Sequence, residues 1–250
     1  MNRNTPESLI DGAEWLTLDE RRVEPLSPDL LSEELYLVDR IREGHQYKGQ
    51  KNYHNWYWCA STGRHVWCES MLERAAMMQL DFAAGVVAVA SQPMKLTMRG
   101  EVHFPDFLVL HNDGTQSLVD VKPEARVEHA RRQFELTAQA CARVGWGYRV
   151  LTELPPQHQV TLEFISHFRH PVYAPPADAY TELDTAFEDG WTFHDLVAAM
   201  PAPAEADARA MALHVLWSRK CTFDLGDRLS PQTVLHAAVV AGLEAVDALR

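Results

Sequence analysis

The chain has 250 residues with 23 Lys or Arg and 35 Asp or Glu side chains, so its formal charge is −12. Its 46% hydrophobic and 23% charged residues are typical of a globular protein with one or two domains, and they exclude collagen-like, coiled-coil and wholly disordered chains. No apolar stretch approaches the roughly 18 residues of a membrane span, and the N-terminal residues lack the apolar core of a signal peptide. We therefore expect no membrane segment and a cytoplasmic location.

The charge is distributed unevenly along the chain. Residues 1–39 carry 3 basic and 10 acidic side chains, residues 40–150 carry 14 and 11, and residues 151–250 carry 6 and 14. Only the middle region has a positive excess. Together with the prolines at 155–156 and 171–176, this pattern predicts four segments: an acidic lead-in (1–39), a central domain (40–154), a Pro-rich linker (155–179) and a helical C-terminal domain (180–250).

A group of two cysteines and two histidines raises the question of a zinc site. The nearest group is His54, Cys59, His65 and Cys68, but its spacing does not match the usual Cys/His ligand pairs. We interpret these residues as packing thiols beside surface imidazoles.

Residues 69–82 have the pattern of an amphipathic helix, because apolar side chains recur at helical spacing and straight-chain helix formers dominate. Glu69 and Glu73 are four residues apart and are expected to share one face of this helix. We interpret Glu69 as part of a solvated face. The following runs, 86–90 and 94–98, are predicted to be strands separated by a Ser-Gln-Pro break.

A β-hairpin is predicted from two alternating runs, 104–111 and 116–122, because the intervening Asp113-Gly114 pair is typical of a tight turn. Pro123 suits the first turn of a helix, which is expected to continue to a stop at Gly145. A strand over residues 148–152 closes the unit. This order predicts an α/β fold with a mixed sheet flanked by helices.

Three charged residues on the predicted hairpin suggest a catalytic site. Asp106 begins one strand, and Asp120 and Lys122 are two residues apart on its partner, so they face the same side. Packing does not explain these charges, since burying an unpaired ion costs several kcal/mol. Carboxylates suit Mg²⁺ or Mn²⁺, and a neighbouring lysine can bind a phosphate or orient a water molecule. The arrangement therefore fits hydrolysis of a phosphodiester.

The spacing of Pro-Asp, thirteen residues and Asp-Val-Lys matches the PD-(D/E)XK signature of restriction-endonuclease-like nucleases. An Asp–Lys ion pair on an edge strand would give the same letters, and this alternative stays open for the short motif alone. That nuclease core also has a helix before the hairpin, which offers a glutamate to the metal. Glu73 lies on such a helix.

Several sequence blocks resemble one family within this superfamily. The blocks are IREGHQYKGQKNY, STGRHVWCESMLERAAMMQLDF, SQPMKL, HFPDFLV and VDVKP. They are similar to the heteromeric transposase endonucleases, the TnsA-like subunits that cut the 5′ ends of a mobile element. The resemblance covers about residues 40–154, with a weaker likeness through the C-terminal helices. It implies a restriction-endonuclease-like core in a bacterial protein.

The resemblance also implies a role for each residue of the motif. Glu73 corresponds to the helix glutamate that binds metal, Asp106 to the central metal-bridging aspartate, and Lys122 to the catalytic lysine. Asp120 lies where members of the family can carry glutamine, so one or two ions remain possible. The predicted site for Mg²⁺ or Mn²⁺ consists of Glu73, Asp106, Asp120 and the backbone carbonyl of Val121. Lys122 is expected to position the attacking water or stabilise the transition state, giving a 5′-phosphate and a 3′-hydroxyl.

Candidate DNA contacts precede the motif, where basic and aromatic side chains alternate. Cations can contact phosphates, and exposed aromatic rings can lie on sugars or unstacked bases. The predicted DNA-binding residues are Arg40, Arg42, Lys48, Lys51 and Arg64. For the aromatic run Trp56, Tyr57 and Trp58, packing in a strand is the preferred interpretation.

A second candidate DNA surface lies on the helix after the motif, where a solvated helix face would give the same pattern. Its basic residues are Arg126, Arg131 and Arg132.

The C-terminal region is predicted to be mainly helical and winged-helix-like. Helices are expected over 192–200 and 205–219, a short strand over 221–225, and a last helix from residue 230. Its negative charge favours a protein partner over DNA. The resemblance implies double-stranded DNA at transposon ends, a DDE-type transposase and an ATPase regulator as partners.

Two alternatives to a transposition nuclease remain. One is a stand-alone restriction or phage-defence nuclease on the same core, which would cut DNA without partner proteins. The other is a non-catalytic DNA- or protein-binding module whose acids form structural ion pairs.

Overall fold

The computed structural model describes residues 11–42, 54–83 and 85–237, which fall into two compact units. The first comprises the described residues of 11–77 and 85–153, and the second those of 78–83 and 154–237. Helix α1 (Met71–Phe82) contributes residues to both. Within the described ranges, no helix is long and apolar enough to cross a membrane.

The first unit is built mainly from strands. In chain order they are β1 (Asp11–Leu16), β2 (Arg21–Pro25), β3 (Asn55–Cys59), β4 (Arg64–Cys68), β5 (Val86–Ser91), β6 (Met94–Met98), β7 (Glu101–His103), β8 (Phe107–His111), β9 (Gln116–Val121) and β10 (Gly147–Leu151). Helix α2 (Glu124–Val144) connects β9 to β10, and short 3₁₀ helices, Pro28–Ser32 and Leu35–Leu37, follow β2.

Two four-stranded sheets form the framework of this unit. One has the order β10-β9-β8-β5, in which β9 and β10 are parallel and the other neighbours antiparallel. The other has the order β2-β1-β6-β7 and is antiparallel throughout. Strands β3 and β4 form a separate hairpin. The predicted α/β fold is thereby confirmed.

The predicted hairpin and the helix after it form as expected. Strands β8 and β9 pair antiparallel around a turn in which Gly114 adopts φ 82°, a left-handed conformation that glycine adopts without steric cost. Helix α2 ends at Gly145, which is also left-handed and donates its N–H to the carbonyl of Cys141. The hydrogen-bonded hairpin followed by a 21-residue helix holds the motif residues at one end of the mixed sheet.

The segment 1–39 was predicted to be an acidic lead-in, but its described part belongs to the first unit. Strand β1 pairs with β6, and Ala13 and Trp15 alternate into the core at 0% and 1% exposure. Glu14 points to the opposite face, where it bonds Lys95 at 3.0 Å. The ion pair compensates the acid on the polar face, while alternation places the tryptophan in the core.

The second unit contains helices α3 (Pro156–Ser166), α4 (Ala177–Ala186), α5 (Phe193–Ala198) and α6 (Glu205–Trp217), with strands β11 (Cys221–Thr222) and β12 (His236–Ala237). The predicted linker 155–179 thus contains an eleven-residue helix. Pro156 occupies the first helical position, where its missing N–H costs nothing, and Leu162 and Ile165 are buried. The Pro155-Pro156 pair was interpreted as the start of a linker, but Pro156 begins helix α3.

The helix predicted from residue 230 is wrong for the described residues. Here the backbone pairs with the start of α5 and the residues just before it. The Phe193 N–H donates to the Thr233 carbonyl at 2.8 Å, and the Leu235 N–H donates to the Trp191 carbonyl at 2.7 Å. Strand β12 then pairs antiparallel with β11. Tertiary pairing therefore replaces the local helix signal of Ser230-Pro231.

Candidate active site

A cavity of about 540 Å³ lies in the first unit where α1, β7, β9 and the start of α2 meet. It is polar and carries both acidic and basic side chains. The predicted motif residues on its wall are Glu73, Asp106, Asp120, Val121 and Lys122. Residues that are 49 positions apart in the chain thus share one cavity.

Asp106 is fixed by the neighbouring strand. Its Oδ2 atom accepts the backbone N–H of Val121 at 2.7 Å, and its carbonyl accepts the N–H of Gln92 at 2.8 Å. Burial raises the pKa of the Asp106 carboxyl well above its usual range, and the charges of Asp120 and Glu73 raise this pKa further. The positive charge of Lys122 acts in the opposite direction. A cation in the cavity would therefore favour the ionised form of Asp106.

The side chains of Ser70 and Glu73 cap the N-terminus of α1. The Glu73 N–H donates to Ser70 Oγ at 3.1 Å, and Ser70 Oγ donates to Glu73 Oε1 at 3.0 Å. The second carboxylate oxygen accepts the N–H of Glu69 at 2.7 Å. Burial, more than the nearby Glu69 charge, raises the pKa of Glu73. The sequence Ser-x-x-Glu explains this local geometry.

Glu69 precedes the helix instead of lying on its solvated face, so that interpretation was wrong. Its Oε2 atom accepts hydrogen bonds from Arg42 Nη2 and Gln92 Nε2, both at 2.8 Å. Arg42 Nε also donates to Gln92 Oε1 at 3.2 Å. Gln92 is fully buried and has φ 44°, a left-handed conformation that costs a non-glycine residue about 1–2 kcal/mol. The three side chains form a closed polar triangle beside the cavity.

Asp120 is 2% exposed and has partners that the sequence did not indicate. The His103 Nε2 atom lies 2.9 Å from Asp120 Oδ1 and 2.8 Å from Oδ2. The Tyr148 hydroxyl donates to Oδ2, and the Gln133 amide bonds the second ring nitrogen of His103. Burial and the Asp120 charge raise the pKa of Tyr148, so this phenol stays protonated and remains a donor.

Lys122 follows the last residue of β9 and is half-buried on the cavity wall. Its backbone N–H donates to the Leu151 carbonyl at 2.9 Å, which extends the parallel pairing with β10 by one bond. The strand was predicted to include Lys122 but ends at Val121. Lys122 and Asp120 nevertheless line the same cavity, as expected for residues two apart.

The predicted DNA-binding residues have different surroundings. Arg42 lines the cavity within the triangle, whereas the Cζ atom of Arg40 lies 4.2 Å from the ring centroid of Trp67. Arg64 is exposed on β4 and does not line the cavity. Lys48 and Lys51 lie outside the described residues.

The aromatic run before the motif forms β3. Tyr57 packs in the core, as preferred from the sequence, but Trp56 on the opposite face is 60% exposed. Trp58 is half-buried on the same side as Trp56. Strand alternation therefore divides the run between the core and the surface.

The arginines of α2 also differ from one another. Arg126 is exposed and lines the cavity, and no ion pair involves it among the described residues. Arg131 pairs with Glu128 at 2.7 Å, and Arg132 with Glu101 at 2.6 Å. Arg126 is thus the arginine of this helix that is available to an anion in the cavity.

The acids fit a hard divalent cation by their chemistry. Carboxylate oxygens are the ligands that Mg²⁺ and Mn²⁺ prefer. Glu73, Asp106 and Asp120 all line the cavity, and the charges of Glu73 and Asp120 both raise the pKa of Asp106. Oδ1 of Asp106 has no hydrogen-bond partner within the described ranges. Among the described residues, no group of three or more His, Cys, Asp or Glu side chains is arranged to hold a metal ion.

One comparison with known proteins identifies the region around the cavity. Residues 78–153 match the family described as TnsA-like endonuclease N terminal. Asp106, Asp120 and Lys122 lie inside the matched region, and Glu73 lies five residues before it. The comparison with curated proteins found no match. The match confirms the resemblance stated from the sequence: residues 78–153 are similar to the N-terminal part of TnsA-like endonucleases.

Proposed function

We propose that the protein is a metal-dependent DNA endonuclease that cuts the 5′ ends of a transposon during cut-and-paste transposition. The observation that carries the proposal is the meeting of Glu73, Asp106, Asp120 and Lys122 at one cavity, in a chain with a TnsA-like endonuclease match. Three of these residues come from the motif, and the fourth, Glu73, lies on α1 five residues before the matched region. Independent elements thus supply the side chains that phosphodiester hydrolysis needs.

The residues have separate tasks in the proposed reaction. Glu73, Asp106, Asp120 and the Val121 carbonyl would hold Mg²⁺ or Mn²⁺. When bound, such an ion supplies an activated water and neutralises charge on the phosphate. Lys122 lines the same cavity, and its ammonium group can orient the water or bind a phosphate oxygen. Hydrolysis in this sense leaves a 5′-phosphate and a 3′-hydroxyl.

We propose that basic residues contribute to DNA binding in different ways. They are Arg126 and the predicted residues Arg40, Arg42, Lys48, Lys51 and Arg64. Arg126 lies beside the cavity without an ion pair among the described residues, which suits a contact with the phosphate backbone. Arg42 already bonds Glu69 and Gln92, so its proposed contribution is mainly to the shape of the cavity. The remaining four keep the proposed role of contacts away from the cut.

We further propose a winged-helix-like C-terminal domain within residues 180–250 that contacts a protein. Helices α5 and α6 are followed by the β11–β12 pair, and Thr192 before α5 bridges Val234 before β12. This order supports a winged helix. The first turn of α6 carries Glu205 and Asp207, which disfavour an approach to DNA phosphates. A DDE-type transposase and an ATPase regulator are the proposed partners of the protein, with the predicted nuclease domain spanning 40–154.

Cleavage of transposon-end DNA in the presence of Mg²⁺ or Mn²⁺ and the partner proteins tests the function. Lys122→Ala and Asp106→Ala should each lower the rate at least about 100-fold, because each removes charge stabilisation at the reacting phosphate. Lys95→Ala and Asp113→Asn are matched controls, since Lys95 pairs with Glu14 and Asp113 lies in the hairpin turn. Wild-type rates in both site variants would overturn the proposal.

The same assay separates the alternatives. A stand-alone restriction or defence nuclease would cut efficiently without any partner protein, with the same dependence on Lys122. A non-catalytic module would bind DNA or protein and give no cleavage with either metal and any partner combination.

A further inference from the structure

The Asp120 carboxylate is held by side chains from two other elements of the first unit, and a side chain from a third supports one of them. His103 comes from β7, Tyr148 from β10 and Gln133 from α2. Strand β7 belongs to the antiparallel sheet, whereas Asp120 lies in β9 of the mixed sheet. The contact between His103 and Asp120 therefore connects the two sheets at the edge of the cavity.

The hydrogen-bonding capacity of these groups fixes the direction of each bond. An ionised carboxylate only accepts, so the Nε2 atom of His103 must carry the proton that lies between the two oxygens of Asp120. The Gln133 amide N–H then donates to Nδ1, which accepts in this tautomer. Donation runs from Gln133 through His103 to Asp120.

The donors are placed unequally on the two oxygens. Oδ2 receives the Tyr148 hydroxyl as well as His103, whereas Oδ1 receives His103 alone among the described residues. Oδ1 is therefore the oxygen with more remaining lone-pair capacity. Both Asp120 and His103 border the cavity, so the arrangement decides which oxygen can serve a ligand there.

We propose that His103 is a positioning residue that, supported by Gln133 and assisted by Tyr148, orients the Asp120 carboxylate toward a divalent cation in the cavity. The inference rests on the proposed function, because it assigns a task within the same site. A carboxylate held by two donors loses rotational freedom before the cation arrives, and partners of metal ligands typically contribute 10–100-fold to metal affinity or activity.

A purely structural role for His103 would be a different use of the same contact. A buried carboxylate without partners costs several kcal/mol, so removal of His103 would then lower stability and leave metal binding unchanged in the folded fraction. The two roles thus differ in a quantity that can be measured apart from cleavage.

Calorimetric titration of the purified full chain with Mn²⁺ distinguishes the two roles. His103→Ala should weaken Mn²⁺ binding by about 10–100-fold relative to the wild type. His103→Gln should recover part of the loss, since its amide can still donate toward Asp120. Tyr148→Phe removes one hydroxyl and should give a smaller loss. If thermal unfolding shows that His103→Ala does not fold, the Mn²⁺ affinity of Tyr148→Phe decides between the two roles.

His111→Ala is the matched control. His111 is a partly buried histidine of the same unit, bonded to Ser117 Oγ at 2.8 Å and away from the cavity wall. Its variant should bind Mn²⁺ like the wild type. The double variant tests whether His103 acts through Asp120. In an Asp120→Asn background, His103→Ala should weaken Mn²⁺ binding little further, because the carboxylate that His103 orients is absent.

The possible outcomes separate this inference from the proposed function. Wild-type Mn²⁺ affinity in folded His103→Ala and Tyr148→Phe, or no Mn²⁺ binding by the wild type, overturns the positioning role. If the wild type binds Mn²⁺ but never cuts transposon-end DNA with its partners, the proposed function fails, and the affinities of the variants still decide the role of His103.

Discussion

Asp106 and Val121 are joined by a hydrogen bond of 2.7 Å from the Val121 backbone N–H to Asp106 Oδ2. Asp106 precedes β8, and Val121 ends β9, so the bond fastens the two halves of the motif across the open end of the hairpin. One oxygen of Asp106 is thereby committed to the backbone. The other is the one that can serve a ligand, and this division explains why an aspartate is placed next to the Asp-Val-Lys strand.

Replacing Asp106 by asparagine should stabilise the metal-free protein. The raised pKa means that the folded state binds more protons than the unfolded state between the ordinary and the raised value, so the contribution of Asp106 to the free energy of unfolding falls as pH rises through that window. Asparagine keeps an acceptor for the Val121 N–H and removes the repulsion. Chemical unfolding at pH 8 with chelator should show a gain of about 1 kcal/mol.

Asp113→Asn provides the comparison for this substitution, because Asp113 is an exposed turn residue whose pKa is lowered mainly by its bond to the Thr115 hydroxyl. It should not stabilise the protein. A destabilised Asp106→Asn protein under the same conditions would contradict the view that the acids repel one another in the cavity.

Arg126 should contribute to DNA binding, unlike its neighbours on α2. Each phosphate contact changes the slope of log affinity against log salt by about one, so Arg126→Ala should lower affinity at all DNA sequences and reduce that slope by about 1. Fluorescence anisotropy at several salt concentrations measures both. Arg132→Ala, which removes a residue paired with Glu101, should have a much smaller effect. Equal effects of the two variants would contradict a specific role of Arg126.

Arg42 should affect stability more than DNA contact. Arg42→Ala removes two hydrogen bonds and leaves buried Gln92 and mostly buried Glu69 without them, at a cost of about 1–3 kcal/mol in the free energy of unfolding. The exposed Arg64 should tolerate alanine within about 0.5 kcal/mol. Urea unfolding measures both. Full stability of Arg42→Ala with weakened DNA binding would instead favour a direct contact.

The second unit should lose stability in mild acid through His214. Burial lowers the pKa of His214, although the Phe168 carbonyl at 2.8 Å opposes the shift. The unfolded state therefore takes up a proton first as pH falls below about 6.5, and the free energy of unfolding decreases, by at most about 1.4 kcal/mol per pH unit. Unfolding measured from pH 8 to 5 should show this slope.

His214→Asn tests that assignment, because its amide can still donate to the Phe168 carbonyl but does not titrate. The variant should have a shallower decrease below pH 6.5 and the same trend as the wild type above pH 7. An unchanged slope would show that another group causes the acid sensitivity.

Elements with strong local patterns were predictable from the sequence. Short-range preferences predict the Asp113-Gly114 turn, the long helix that ends at Gly145 and the motif carboxylates. The structure contains the corresponding hairpin and helix. The start of α1 was predicted two residues early, at Glu69, because the spacing of apolar residues does not identify the capping residue, which is Ser70. Local sequence patterns thus predicted the site residues but not the first residue of α1.

Contacts between distant elements were not predictable. His103 lies 17 residues from Asp120 and in another sheet, so no periodicity connects them. The core strand in the acidic lead-in was missed because Trp15 follows Glu14, whose charge is compensated by Lys95 and Arg21 of other strands. Such pairings depend on sheet order, which local patterns do not specify.

Glu73 serves the helix and the cavity with the same two oxygens. Any ligand that draws this carboxylate toward itself must share it with the Glu69 amide and the Ser70 hydroxyl. The Glu69 N–H is therefore a built-in reporter: its amide chemical shift and its exchange with solvent should change when the cavity fills, even though the amide never touches the ligand. Occupancy of the cavity could thus be followed by nuclear magnetic resonance at a single backbone position, without DNA or partner proteins.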